Sequence, residues 1–430
     1  MLIAQQQKIE LKKLVPYLFS SKLVFVTLFC VLVLPIFDSM TGAFFKLKIM
    51  GEGGLATPSQ LGRLLILGLL FFFVFSSEKV PTQIKKRILY LTTFFLIAES
   101  LVAILHMGLM PYISGIVFFS KILFCILAYV FFKSWVIEEL VYYDLFFRLV
   151  IAYGVVVAFL LSSAFISGFH ISNYGSKFAT RGLFVSGNGV GVTIGTCTLL
   201  ALYYSFITKQ KLFYFLGVFM IFSTVIIGTK TALLFALLSS ILFFIISLKF
   251  FPCSSLILSI LIGIYVVPVV IDALSLVFEN IINKFNMIED KTVLLSSSRD
   301  VFIYNAFYKV DWNGCFSVRL LFGGGAYFAY EDLTFLSEVK RKTLENDFFE
   351  LFFSYGVVAA FTYLILGVTT IVNGALKGRY FLTFCFFLVF LHSVLAGHVL
   401  FNGTSSIILV FLLLLINARY HPIKIRSLKS

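Results

Sequence analysis

Long apolar runs broken by short polar stretches dominate the chain, and about twelve of them approach the roughly 17 to 25 residues a helix needs to cross hydrocarbon. They lie at 22–37, 61–75, 88–110, 112–132, 145–168, 187–207, 212–228, 231–250, 254–274, 348–370, 380–400 and 403–416. The runs are continuous, whereas strands of a transmembrane barrel alternate because only one face meets lipid. The pattern therefore predicts an all-α polytopic membrane protein of about 12 transmembrane helices, with residues 1–430 forming a single integral membrane domain.

Most connections between runs are short. The exception is 278–347, predicted as one large extracytoplasmic loop between helices 9 and 10 and not an independent domain. It is polar, carries charges of both signs, and holds Trp312 and the run Gly323-Gly324-Gly325. A loop of this length is either a plain cap over the bundle or a functional element, and length favours the second. A smaller outer loop, 169–187, carries His170, Asn173, Tyr174, Lys177 and Arg181. No internal repeat is visible, and a large loop after the ninth span does not divide the chain into equal halves. Both features weigh against a two-half transporter.

Composition sharpens the class. Hydrophobic residues make up 60% of the chain and charged residues 13%, with a mean hydropathy of +1.04. Soluble domains carry about 25% charge, so soluble, disordered and fibrous classes are excluded together. The 34 Lys and Arg exceed the 20 Asp and Glu, giving +14. With the N-terminus threaded to the cytoplasm, about 19 of the basic and about 5 of the acidic residues fall on the cytoplasmic side. That asymmetry predicts both termini in the cytoplasm, and attraction to anionic lipid accounts for the charge without nucleic acid. Six scattered cysteines offer no disulfide framework and no metal pattern. The first twenty residues are polar and basic, and the run after them lacks a small-residue cleavage site, so the first span is expected to be retained.

Three constellations carry possible chemistry, all expected on the outer side. Arg181-Gly182 leads through Ser186-Gly187-Asn188-Gly189 into the sixth span. A guanidinium there either anchors the helix or holds a phosphate through paired N–H donors. Ser296-Ser297-Ser298-Arg299-Asp300 opens an aromatic amphipathic stretch, 301–310. Arg299 then stands in a first turn, where the helix dipole disfavours a cation, so it either serves elsewhere or pairs with Asp300 or Glu289. The third constellation runs from Gly323-Gly324-Gly325 to Glu345-Asn346-Asp347 and Glu350 at the mouth of the tenth span, then to Tyr355-Gly356. Its carboxylates either answer the helix dipole or take a proton from a substrate hydroxyl. Lys230 occupies an outer turn, where it snorkels or contacts phosphate; the glycine pattern of a nucleotide loop is absent. His392 and His398 are expected to pack within the eleventh span, and Glu99 and Lys121 to pair across the bundle, a feature that also suits a transporter.

Taken in order, Arg181, Gly182 and Asn188, then Arg299, then Gly323 and Gly325, then Glu345, Asp347, Tyr355 and Gly356 resemble the motifs of the O-antigen polymerase and O-antigen ligase superfamily of bacterial polysaccharide assembly. The resemblance covers about residues 145–375. It implies metal-independent glycosyl transfer at the outer face of the bacterial cytoplasmic membrane, without cofactor. The donor and acceptor would be glycans on polyprenyl pyrophosphate, with a flippase or chain-length regulator as possible assembly partners. Arg181, Arg299 and Lys230 would bind pyrophosphate, Asn188, Gly323, Gly325 and Tyr355 would shape the substrate loop, and Glu345 or Asp347 would act as catalytic base. Ligases of this superfamily place a His-Asn pair where this chain has Glu345-Asn346-Asp347, so polymerisation is expected over ligation. A secondary transporter or lipid-linked glycan flippase is the alternative of different class.

Overall fold

The computed structural model describes residues 22–50, 57–105, 109–136, 140–172, 179–250, 299–310, 316–327, 329 and 344–418. Among them the chain is all-helical apart from one antiparallel bridge between Ser172 and Thr180. The helices are α1 (Lys22–Lys46), α2 (Pro58–Ser76), α3 (Thr82–Leu105), α4 (Leu109–Val136), α5 (Leu140–Ile166), α6 (Gly187–Thr208), α7 (Lys211–Ile227), α8 (Lys230–Phe250), α9 (Arg299–Lys309), α10 (Phe316–Phe322), α11 (Asp347–Leu376), α12 (Tyr380–Ala396) and α13 (Gly403–Asn417). Seven of these, α2 to α6, α8 and α11, are long and apolar enough to cross a membrane, and α7, α12 and α13 are shorter apolar helices. The expected ninth span, 254–274, and most of the 278–347 loop lie outside the described residues.

Local chemistry sets the helix ends. Thr57 accepts from Gln60 N ahead of Pro58, Ser186 accepts from Gly189 N, and Asn346 accepts from Phe349 N, so each side chain occupies an otherwise orphaned donor. Gly228 closes α7 in the left-handed region. The expected run 380–400 stops at Ala396, because Gly397 takes φ +63° and its N–H returns to Ser393 O.

Two helices form the centre of the bundle. In α13 every residue from Gly403 to Ile416 is buried, as expected for a helix that is apolar all round. In α6 burial is nearly continuous from Gly189 to Tyr204, and its small residues admit α5, α7 and α8 at close range. The outermost span, α3, presents Leu89, Tyr90, Ile97 and Ile104 outward.

Several basic groups lie at one end. There Lys85 Nζ donates to Phe75 O at 2.9 Å, Arg148 pairs with Asp144 at 2.9 Å, and Lys377 Nζ reaches Asn417 Oδ1 at 3.3 Å. Arg379 donates to Leu415 O and Ile416 O at 2.6 and 2.7 Å and also to Ala418 O, capping the C-terminus of α13. The Lys377 amino group is held below its ordinary value by loss of solvent, then by the charges of Arg379 and Lys133. The opposite end receives the starts of α6, α8, α9, α11 and α13.

One membrane-length helix is broken. In α11, Gly356 adopts φ +80°, ψ −179°, which interrupts the ladder. The carbonyls of Phe353 and Ser354 are taken instead by Gly324 N and Gly325 N, each at 3.0 Å. A Cβ on Gly356 would stand 2.1 Å from Leu321 O, and one on Gly323 would stand 2.3 Å from the Ser354 backbone. Glu99 of α3 accepts from Ala326 N at 3.1 Å and fixes the far side of the same turn. Irregular backbone at this depth is tolerated because the inserted turn satisfies its polar groups.

Candidate functional site

The end opposite the basic cluster brings together side chains from three separate parts of the chain. Arg299, buried at the start of α9, places Nη2 3.1 Å from Glu345 Oε2. Glu345 is about one-third exposed and stands directly before the N-cap of α11. On its other side, His398 Nε2 lies 3.9 Å from the same carboxylate oxygen. His398 belongs to the turn between α12 and α13. That turn passes so close to Glu345 that a Cβ on Gly397 would meet the Glu345 carbonyl carbon at 2.5 Å.

Asp347 holds this turn in place. Its Oδ2 accepts from Ser393 Oγ at 2.6 Å, Leu400 N at 2.8 Å and Val399 N at 3.0 Å, and the residue is buried. A carboxylate so engaged is a scaffold for backbone. Asn346 ties α11 to α12 through Nδ2 to Val394 O at 2.5 Å, and Glu350 Oε1 accepts from Leu344 N at 2.7 Å. Of the carboxylates described at this mouth, Glu345 alone is both partly exposed and beside the guanidinium of Arg299. Of the partners expected for Arg299, Asp300 is exposed in the first turn of α9 and Glu289 lies outside the described residues; Glu345 is a further partner, joined to it across the fold.

α8 and α12 approach from the side. Thr231 Oγ1 and His392 Nδ1 are 3.1 Å apart, and His392 is buried with no hydrogen-bond partner for Nε2. Lys230, one residue before Thr231, is exposed at the first position of α8.

Arg181 stands across the N-terminus of α6. Its Nη1 donates to Val185 O at 2.6 Å, which curls the loop before Ser186 caps the helix. The same loop is tied down by Thr180 N to Ile226 O at 2.9 Å and Ile171 N to Gly182 O at 2.7 Å. Asn188, half-buried in the first turn of α6, has no hydrogen-bond partner among the described residues. One residue on, Gly189 abuts Asn402 and the His398 carbonyl. The first turn of α6 thus separates the Arg181 loop from the Arg299, Glu345 and His398 cluster.

The remaining expected site residues serve the broken helix. Gly323 and Gly325 form the turn that completes α11. Tyr355 is buried, its ring edge-on to Phe95 at 4.6 Å, and its hydroxyl faces Glu99. Glu99 and Lys121 do not pair: Glu99 serves Ala326 N, while Lys121 lies 5.8 Å from the Phe118 ring centroid and makes no ion pair among the described residues. His398 stands in a turn and not within the helix expected over 380–400. Gly397 directly before it was the available sign of a turn. Among the described residues, no group of three or more His, Cys, Asp or Glu side chains gathers in a form that would hold a metal ion.

What the fold defines is an all-helical protein with helices of membrane-crossing length. No family model, curated protein or solved structure matches the chain, so the resemblance to the polysaccharide-assembly superfamily rests on the motif residues themselves.

Proposed function

We propose that the protein polymerises polyprenyl-pyrophosphate-linked oligosaccharide repeat units into long chains by metal-independent glycosyl transfer at the outer face of the bacterial cytoplasmic membrane. The observation that carries this reading is the buried Arg299 paired with the partly exposed Glu345 where several helices begin. Helix N-termini present partial positive charge and unused N–H groups, a setting that favours a diphosphate. Arg299 neutralises the leaving pyrophosphate as the anomeric bond breaks, and Arg181 and Lys230 supply further cationic contacts on the same end. Glu345 is the carboxylate within reach of the acceptor hydroxyl, while Asp347 is reserved for the turn it holds.

A second reading, ligation of finished glycan to another acceptor, draws support from His398, which returns an imidazole to the place where the motif lacks one.

The test is glycan length in cells carrying Arg299→Ala, Arg299→Lys or Arg181→Ala at wild-type protein level. Loss of long chains is expected in all three, because Lys supplies a point charge and no paired donors. Undiminished chain length in both alanine variants would overturn the reading. In a deletion strain, single repeat units still attached to the final acceptor support polymerisation; complete loss of attachment supports ligation.

A further inference from the structure

α9 carries two faces of different character. Phe302, Ala306 and, just past the helix end, Val310 recur at every fourth position and are buried with Leu344 and Phe353, which fixes the helix against the first turns of α11. The opposite stripe is Asp300, Tyr304 and Tyr308, with the same spacing. All three are exposed, the tyrosines at 69% and 82%, and among the described residues no hydrogen bond uses either tyrosine hydroxyl. The stripe begins beside the Arg299 and Glu345 pair and runs about 12 Å along the helix away from it.

Two occupants suit an exposed aromatic stripe at the end of a helical bundle: lipid at the membrane interface, or a sugar chain. Composition decides between them. Arg299, Asp300, Asn305 and Lys309 make α9 far more polar than the spans, and the Asp300 carboxylate stands on the stripe itself. A carboxylate facing hydrocarbon is costly, and one facing anionic headgroups is repelled. By contrast, α3 turns Leu89, Ile97, Leu101 and Ile104 outward. A sugar offers the matching chemistry, with C–H faces that lie flat on a phenol ring and hydroxyls that donate to a carboxylate or a phenol oxygen. We infer that the Asp300, Tyr304 and Tyr308 stripe is a docking face for the glycan part of the substrate, holding sugar residues next to the one that reacts. This rests on the glycosyl-transfer reading above, which places the diphosphate at Arg299 and so brings the glycan to the following residues of the same helix. No bond forms or breaks on the stripe. It grips sugars remote from the reacting bond, so it stabilises ground state and transition state alike, and its loss raises KM while kcat is kept.

The experiment uses the full chain in lipid nanodiscs, with Trp135→Phe and Trp312→Phe to clear the background and Tyr304→Trp as the reporter. One probe is the lipid-free oligosaccharide released from the host's own surface polysaccharide; the other is a nanodisc built from brominated-chain phospholipid. A saturable fluorescence change with oligosaccharide and no quenching by the brominated chains is expected. In the reporter, Tyr308→Ala should weaken oligosaccharide binding by about 10-fold and Tyr308→Phe by about 3-fold or less, since the ring face is retained. These exposed positions leave folding intact, which protein level checks. In a second arm, lengthening of a synthetic polyprenyl-pyrophosphate oligosaccharide, the Tyr304→Ala, Tyr308→Ala double variant should raise KM by about 10-fold or more at unchanged kcat. Quenching by the brominated chains, or silence toward both probes, would overturn the docking face in favour of a membrane contact or of cover by the protein itself. Lengthening at wild-type KM in the double variant would overturn it while leaving glycosyl transfer standing. Oligosaccharide binding by a wild-type protein that lengthens nothing would remove the glycosyl-transfer reading and support the docking face alone.

Discussion

Asp347 offers a direct separation of scaffold from chemistry. Its Oδ2 collects three donors, two of them backbone N–H groups of the turn at 397–402. Asp347→Ala strands the two backbone N–H groups in a buried setting, while Ser393 Oγ keeps the Tyr363 hydroxyl at 2.7 Å. At about 1 to 3 kcal/mol for each orphaned group, the loss is roughly 2 to 6 kcal/mol, a large share of the 5 to 15 kcal/mol that holds a typical domain together. Asp347→Asn keeps an acceptor oxygen but forfeits the charge. A bond to a charged acceptor contributes about 1 kcal/mol more than a neutral one, so this variant should lose about 2 to 3 kcal/mol. The expected order in membrane protein level and in detergent melting temperature is wild type, then Asn, then Ala with little protein. Glycan length should follow protein level in both variants. Should Asp347→Asn accumulate and melt like wild type yet make no long chains, the carboxylate would be acting on substrate, and the scaffold argument would be refuted. Normal accumulation of Asp347→Ala would refute it from the other side.

Two further expectations come from packing. Gly356→Ala places a Cβ about 2 Å from Leu321 O on a left-handed backbone and should displace the inserted turn, lowering the melting temperature sharply; Gly68→Ala, with nothing within 4 Å, should leave it near wild type. Arg379→Lys keeps the charge but not the fork that serves three carbonyls, and should destabilise the protein by about 1 to 3 kcal/mol, read as a lower melting temperature at unchanged glycan chemistry.

Helix positions were legible because a membrane-crossing segment must be apolar over its whole length, and little else in the chain is. Thus the run expected at 187–207 is α6, and that at 212–228 is α7. The run at 380–400 overshot because an apolar turn looks the same as an apolar helix, and Gly397 is one residue among many. The pairing of Arg299 with Glu345 joins positions 46 apart, and no local pattern announces it. Glu345 and Asp347 look equivalent in sequence; only the packing of the 397–402 turn assigns one to backbone and leaves the other beside Arg299. Likewise, the way the turn at 323–325 completes α11 is not legible in sequence, because hydrogen bonds to the Phe353 and Ser354 carbonyls leave no trace in residue type.

The insertion at the Gly356 break makes two distant stretches a single unit for the purposes of recombination. Residues 316–327 supply amides that α11 lacks, and α11 supplies the carbonyls they require, with Glu99 of α3 as the third contributor. A chimera that borrows residues 316–327 from another protein while retaining α3 and α11 would leave carbonyls bare inside the bundle. Exchange of segments between related proteins must therefore carry all three pieces together, or confine itself to positions that the break does not touch.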